Sequence, residues 1–377
     1  MWNYEQPVKI IFGNKSIENI KEVVTNNSYV NGLLVTSPFF IKSGLAQKLK
    51  EDKSNNIINI FSEVEPNTTV SNVDICSEII RRNNIKFIIA LGGGSVIDCA
   101  KASSVAALTK NSIKKYHGTG INLPNESIPI IAVPTTSGTG SEVTCVSVVT
   151  DEKSKKKLPI VSDSFYPKVA IIDPELTYSV PEHITASTGI DVLCHAVEAY
   201  WSNGHQPICD ALAVHSAKLV FQYLEGAYMN PYDKTAKEKL SEASIIAGLA
   251  FTLPKTTASH ACSFLLTSKY NIPHGEACGL TLDYFTRING KNDSRVRELA
   301  VLLGFKNEDD MADNIYKLKK KLNLLVNLKH LNLSHEDIIE LVEKSKNPNL
   351  KNNPINVTDE LLINMYEYLS KGEIYEV

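Results

Sequence analysis

The apolar positions fall into two regimes. Before residue 178, short runs of β-branched and apolar residues alternate with segments of helical periodicity. Gly32-Leu-Leu-Val-Thr36, Lys86-Phe-Ile-Ile-Ala-Leu91 and Ile128-Pro-Ile-Ile-Ala-Val133 are almost continuously apolar, the pattern of strands buried on both faces of a parallel sheet. Lys9-Ile-Ile-Phe12 and Asn56 to Phe61 read as further strands. Helices are expected over Ser16–Val24, Ile41–Leu49 and Val70–Asn83. Strand and helix in alternation predict a doubly wound α/β domain. After Asp173-Pro174 the β-branched runs thin out and long helical periods take over, at Ile184–Tyr200, Ile208–Glu225 and Ala236–Ala250. Ser334 and Thr358 have the look of helix N-caps, and the Asn- and Lys-rich stretch from Lys344 to Asn353 reads as a solvated loop. Two domains are expected, an α/β domain over 1–178 and an all-α domain over 179–377.

Length agrees, because 377 residues exceed what one hydrophobic core usually serves. Composition mostly excludes. The net charge is −3, with no basic block and no aromatics interleaved with arginine, which argues against nucleic acid as a partner. No apolar run approaches the roughly 20 residues that span a bilayer. The opening residues lack the basic and apolar regions of a secretion signal. Seven cysteines, at 76, 99, 145, 194, 209, 262 and 278, are scattered without a CxxC pair, as expected of reduced thiols in a cytoplasmic protein.

Candidate chemistry sits where the buried strands end. Gly92-Gly93-Gly94-Ser95 follows one strand and opens a helix that includes Asp98. Glycines there let backbone N–H groups approach a phosphate, and the helix N-terminus adds positive potential. The spacing is neither GxGxxG nor a Walker A loop. A second loop, Pro134-Thr135-Thr136-Ser-Gly138-Thr139, follows the next buried strand, and open sheets bind ligands along that edge. A carboxylate at the end of the second strand would favour NADH over NADPH by pairing with the ribose; Ser37 stands there, so NADPH or dual use is expected.

In the helical half, Asp191 and His195 lie one turn apart on one helix face. His260 and His274 follow, fourteen residues apart. One carboxylate and three imidazoles suit Fe²⁺ or Zn²⁺, with Cys194, Cys262 and Cys278 as bystanders. A metal beside a nicotinamide implies interconversion of an aldehyde and an alcohol.

At these residues the sequence resembles the iron-containing (group III) alcohol dehydrogenases. The shared motifs run nearly the full length: Phe12-Gly13-Asn, Pro66-Asn67, Gly92-Gly-Gly-Ser95-x-x-Asp98-x-x-Lys101, Pro134-Thr-Thr136-x-Gly138-Thr139-x-x-Glu142, Asp173-Pro-Glu-Leu, Gly189-x-Asp191-x-x-x-His195-x-x-Glu-Ala-Tyr and Pro273-His274-Gly. The resemblance implies a Rossmann-like domain followed by an all-α domain, the dehydroquinate synthase-like fold. It also implies metal held by Asp191, His195, His260 and His274, and nicotinamide bound by Asn67, the 92–95 loop, Thr135, Thr136, Thr139 and Lys157. The family usually has a second histidine four residues after the third ligand; here that residue is Phe264. The segment before His260, usually small and Gly-rich, is Leu253-Pro-Lys255-Thr-Thr257-Ala-Ser259. Lys255 and these hydroxyls suit an anionic group. With Gly275-Glu-Ala-Cys-Gly-Leu-Thr-Leu, the segment looks like the phosphonoacetaldehyde reductase branch. The expected partners are therefore an aldehyde with an anionic group and a second copy of the chain. The alternatives are a general short-chain alcohol or diol dehydrogenase and a nucleotide-binding regulator whose chemistry has lapsed.

Overall fold

The computed structural model describes residues 2–109, 111–154 and 156–372. It separates into two units, Glu5–Tyr178 and the chain from Ser179 onward, the latter joined by the residues up to Tyr4.

The first unit is built on a six-stranded sheet in the order β1-β8-β5-β4-β2-β3. Its strands are β1 (Lys9–Phe12), β2 (Gly32–Thr36), β3 (Ile57–Phe61), β4 (Phe87–Gly92), β5 (Ile130–Pro134) and β8 (Val169–Ile172). All pairs are parallel. The inner strands β2, β4, β5 and β8 are buried at every residue, which is why their sequences show apolar runs rather than alternation. The helices α1 (Ile20–Asn26), α2 (Pro38–Lys42), α3 (Leu45–Glu51), α4 (Val70–Arg82) and α5 (Gly94–Ala106) connect the first five sheet strands. The single helix expected over 41–49 is two, broken at Gly44 with φ +80°. The helix α4 begins with a reciprocal capping box between Thr69 and Asn72.

An antiparallel hairpin, β6 (Val146–Asp151) and β7 (Lys156–Val161), was not apparent in the apolar pattern. The strand β6 alternates between half-buried and buried residues, and β7 is largely exposed, so neither has the continuous apolar run of the sheet strands.

The second unit is helical: α6 (Glu182–Trp201), α7 (Pro207–Met229), α8 (Lys234–Phe251), α9 (Ala258–Ser268), α10 (His274–Asn292), α11 (Ser294–Leu302), α12 (Glu308–Lys321), α13 (His335–Ser345) and α14 (Asp359–Lys371). Ser334 and Thr358 are the N-caps of α13 and α14. The helix α6 is buried on all sides from Thr185 to Trp201 apart from Thr188, so polar groups along it must find partners inside the protein. Among the described residues no helix is long and apolar enough to cross a membrane.

Candidate metal and nucleotide sites

Asp191, His195 and Glu198 follow at i, i+4 and i+7 on α6 and share one face. All three are buried, Glu198 completely. Across from them, the first turn of α9 presents His260. Glu198 organises that turn. Its Oε1 accepts from Thr257 Oγ1 at 2.7 Å and from the Ser259 N–H at 2.8 Å, and its Oε2 meets His260 Nδ1. A carboxylate on Nδ1 keeps the proton there and turns the Nε2 lone pair inward, as carboxylates do behind metal-binding histidines. His260 Nε2 lies 3.5 Å from Asp191 Oδ1. The ring of His195 stacks on that of His260, with centroids 4.6 Å apart, and on its other side against Phe251.

His274 is the first residue of α10, behind Pro273. Its ring stands 5.6 Å from that of His260. The chain can come this close to α6 because Gly275 has no side chain: a Cβ there would lie 2.0 Å from the Ser187 carbonyl oxygen and 2.7 Å from Asp191 Cβ.

Donor atoms of Asp191, His260, His274 and Cys278 lie within 4.8 Å of one another. Donors on one ion at about 2.0–2.3 Å stand roughly 3.3–3.8 Å apart, so a small contraction closes this set on a cation. His195 lies outside that tightest group, one ring-stack away. Cys278 falls inside it, with Sγ 3.8 Å from His274 Nε2, and burial pushes its thiol up.

The electrostatics favour a cation. Asp191 Oδ1 and His260 Nε2 are buried and make no hydrogen bond, an arrangement that costs about 1–3 kcal/mol per orphaned group. Burial alone would raise the Asp191 carboxyl, but the charge of His195 and the contact with His260 hold it well below the usual carboxylate range. Burial alone would lower His260, yet Cys278, Glu198 and Asp191 push it well above its ordinary value. Asp191, His260 and His274 offer a divalent ion one carboxylate and two imidazoles at close range, the donor types that suit Fe²⁺ or Zn²⁺.

Glu198 was visible in the sequence only as part of a motif. Its heptad-like offset from Asp191 was the available signal; its partner, the first turn of α9, is some sixty residues away. Glu198→Gln is expected to lower metal affinity by about 10–100-fold, the usual loss when the partner behind a ligand histidine is removed. Isothermal titration with Zn²⁺ measures this, and unchanged affinity would show that Glu198 only packs.

In the first unit, Gly92 closes β4 beside Pro134 of β5, and the Thr135 N–H donates to the Gly92 carbonyl. Both loops therefore leave the same edge of the sheet side by side. A Cβ on Gly94 would meet Thr139 Cγ2 at 2.7 Å, so glycine permits their close approach. Ser95 Oγ accepts from the Asn67 N–H at 3.0 Å, and Lys157 Nζ donates to Asn67 Oδ1 at 2.9 Å. Asn67, Ser95 and Lys157 thus form one polar cluster, with Asn67 exposed at φ +60°. Ser37 is the N-cap residue of α2, makes no capping bond with its side chain, and sits half-buried after β2.

Asp98 faces the fold. Its carboxylate accepts from Ser141 Oγ and from the Val148 N–H. Beside it Lys101, fully buried and pushed down to about 8 by burial, donates to Ser141 Oγ, Thr144 Oγ1 and the Val146 carbonyl. Together they fasten the second loop to α5.

The chain belongs to the iron-containing alcohol dehydrogenase family. Two family models match it, iron-containing alcohol dehydrogenase over residues 7–174 and the C-terminal part of the Fe-containing alcohol dehydrogenase family over 185–369. It is an oxidoreductase of the alcohol dehydrogenase and aldehyde reductase type. A solved sulfoacetaldehyde reductase from Bifidobacterium kashiwanohense, in complex with NAD+, is 54% identical with a TM-score of 0.96, over 99% of this chain and 100% of that one. Sulfoacetaldehyde reductase of Bilophila wadsworthia is 34% identical over 74% of this chain and 73% of its own length. Alcohol dehydrogenase 4 of Saccharomyces cerevisiae is 30% identical over 97% of this chain and 98% of its own.

Proposed function

We propose that this protein reduces a short aldehyde carrying an ionised tetrahedral head group, with sulfoacetaldehyde as the first choice, using NADH or NADPH and an iron ion held by Asp191, His195, His260 and His274. The observation that carries the substrate is the 54% identity, over the whole chain, to a sulfoacetaldehyde reductase. Phosphonoacetaldehyde is the second reading. Sulfonate and phosphonate heads share shape and negative charge, and the cationic Lys255 in the segment before His260 suits either.

When bound, the ion supplies Lewis acidity that polarises a carbonyl oxygen. The chain's own residues do the rest. Glu198 keeps His260 in the tautomer whose Nε2 faces Asp191. The buried walls of α6 and α9 keep water from the donors. Phe264, whose ring lies 6.5 Å from that of His274, puts an apolar face where the family usually has an imidazole, so no proton is moved at that position. Asn67, Ser95 and Lys157 are proposed to hold the cofactor's phosphates, with Gly92–Gly94, Thr135, Thr136 and Thr139 shaping the loops around it. Ser37 repels no 2′-phosphate, which supports use of NADPH, while the 54% identical relative holds NAD+.

Lys255 has φ +67° and its Nζ donates to the Thr252 carbonyl at 2.7 Å. We propose that it also attracts the anionic head. The test is steady-state reduction by iron-loaded protein of sulfoacetaldehyde, phosphonoacetaldehyde and butanal with each nicotinamide. Sulfoacetaldehyde should have the highest kcat/KM, and Lys255→Ala should raise KM for both anionic aldehydes by about tenfold, the worth of one charged hydrogen bond, leaving butanal within twofold. Preference for butanal would overturn the anionic-substrate reading. An equal effect on all three would leave Lys255 as a helix cap only.

A further inference from the structure

The stretch between α13 and α14 contains Asn347, Asn349, Asn352 and Asn353. It reads as a solvated loop, and its 3-10 turn, Pro348–Asn352, has no buried residue. Its amides nevertheless reach inward. Asn347 Nδ2 donates to the Ala261 carbonyl in α9 at 3.0 Å. Asn349 Nδ2 donates to Thr256 Oγ1 and Asn352 Nδ2 to the Thr256 carbonyl, each at 3.0 Å. Asn203, just past the end of α6, donates its backbone N–H to the Asn352 carbonyl at 2.8 Å and its amide to the Asn353 carbonyl at 2.8 Å. Asn353 and Asn289 of α10 are both buried and exchange two amide hydrogen bonds, at 2.9 and 3.2 Å.

One segment is therefore bonded to the end of α6, the start of α9 and the body of α10. These are the three helices that carry Asp191 and His195, His260, and His274. We propose that residues 347–353 form a positioning strap that sets the spacing of α6, α9 and α10 at the metal site, so that loss of its amides weakens metal binding more than it weakens the fold. The inference rests on the metal reading above.

Donor sets work only when their supports hold them to within about 0.5 Å. The first turn of α9 is gripped on one side by Glu198 and on the other by the strap. Asparagine suits this use, because its short amide offers donors and an acceptor on a stem with little freedom. Beside the strap lies a cavity of about 510 Å³, lined by Lys346, Lys351 and Asn356 together with the apolar Pro354, Ile355 and Val357. Leu350 packs against the core of the helical unit, while the amide hydrogen bonds fix where the strap meets each helix.

The test is titration of the metal-free, full-length protein with Co²⁺, followed by its visible absorption, together with thermal melting before and after loading. Asn352→Ala and Asn203→Ala are expected to raise the Kd for Co²⁺ by about tenfold, the lower end of losses seen for groups supporting a ligand. The rise in Tm on loading should shrink, while the metal-free Tm changes little. A lowered metal-free Tm with Kd within twofold of the unaltered protein would overturn the strap, leaving these bonds purely structural. If Asn352→Ala does not fold, Asn349→Ala, which loses a single bond to a hydroxyl, carries the same comparison. Unaltered protein that binds no Co²⁺ would instead overturn the metal reading, which separates the two failures.

Discussion

His260→Ala is expected to lower kcat/KM for the aldehyde by about a thousandfold or more, and the purified protein should lose its bound iron. Polarising the carbonyl is worth several kcal/mol, and each 1.36 kcal/mol is tenfold in rate. His260 stands at the centre of the donor set: its Nε2 is 3.5 Å from Asp191 Oδ1, and its ring stacks on His195. Its removal also strips Glu198 of the partner of Oε2. That leaves a fully buried carboxylate held only by Thr257 and backbone N–H groups, so lower stability should accompany the lost activity. Metal analysis with steady-state rates reads the first effect, and calorimetry the second. A variant that keeps its iron and stays within tenfold of the original rate would refute the assignment.

Gly275→Ala should be the most damaging single methyl group in the helical unit. The added Cβ would sit 2.0 Å from the backbone oxygen of Ser187 and 2.7 Å from Asp191 Cβ. The first obstacle is main chain in the second turn of the buried helix α6, so no flexible side chain can swing away. The start of α10 must move off α6, and His274 moves with it. Overpacking of this kind costs about 1–3 kcal/mol or more, which in a unit of this size lowers Tm by roughly 2–4 °C per kcal/mol. Metal affinity should fall together with Tm. Gly226→Ala in α7 is the control: the nearest atom to its added Cβ, on Asp233, lies 4.0 Å away, and alanine is the better helix former by about 1 kcal/mol. Calorimetry with and without Zn²⁺ compares the two. Equal melting temperatures would mean that α10 yields at no cost.

The α/β alternation, the buried parallel strands and the long helices of the second half were legible because each follows from a local period in the chain. Helix starts at Ser334 and Thr358 were legible for the same reason, since an N-cap is a contact across three residues. The loops after β4 and β5 announced themselves by glycine and threonine at strand ends. The two halves of helix 41–49 did not separate by pattern, because the break depends on the backbone at Gly44 rather than on polarity. The hairpin β6–β7 was missed because its strands lie outside the buried sheet and its burial is set by neighbours, not by its own composition.

At the candidate metal site, the sequence by itself placed Asp191 and His195 on one helix face and marked His260 and His274 as companions, since spacing along a helix is a property of the chain. Only the tertiary structure decided that Glu198 stands behind His260, that Cys278 enters the donor cluster, and that the polar stretch between α13 and α14 is bonded to all three helices that carry the candidate donors. Each of those depends on groups tens of residues apart meeting within hydrogen-bonding reach. No local pattern encodes such a meeting, because it is set by how buried helices pack and by the few glycines that let them come close.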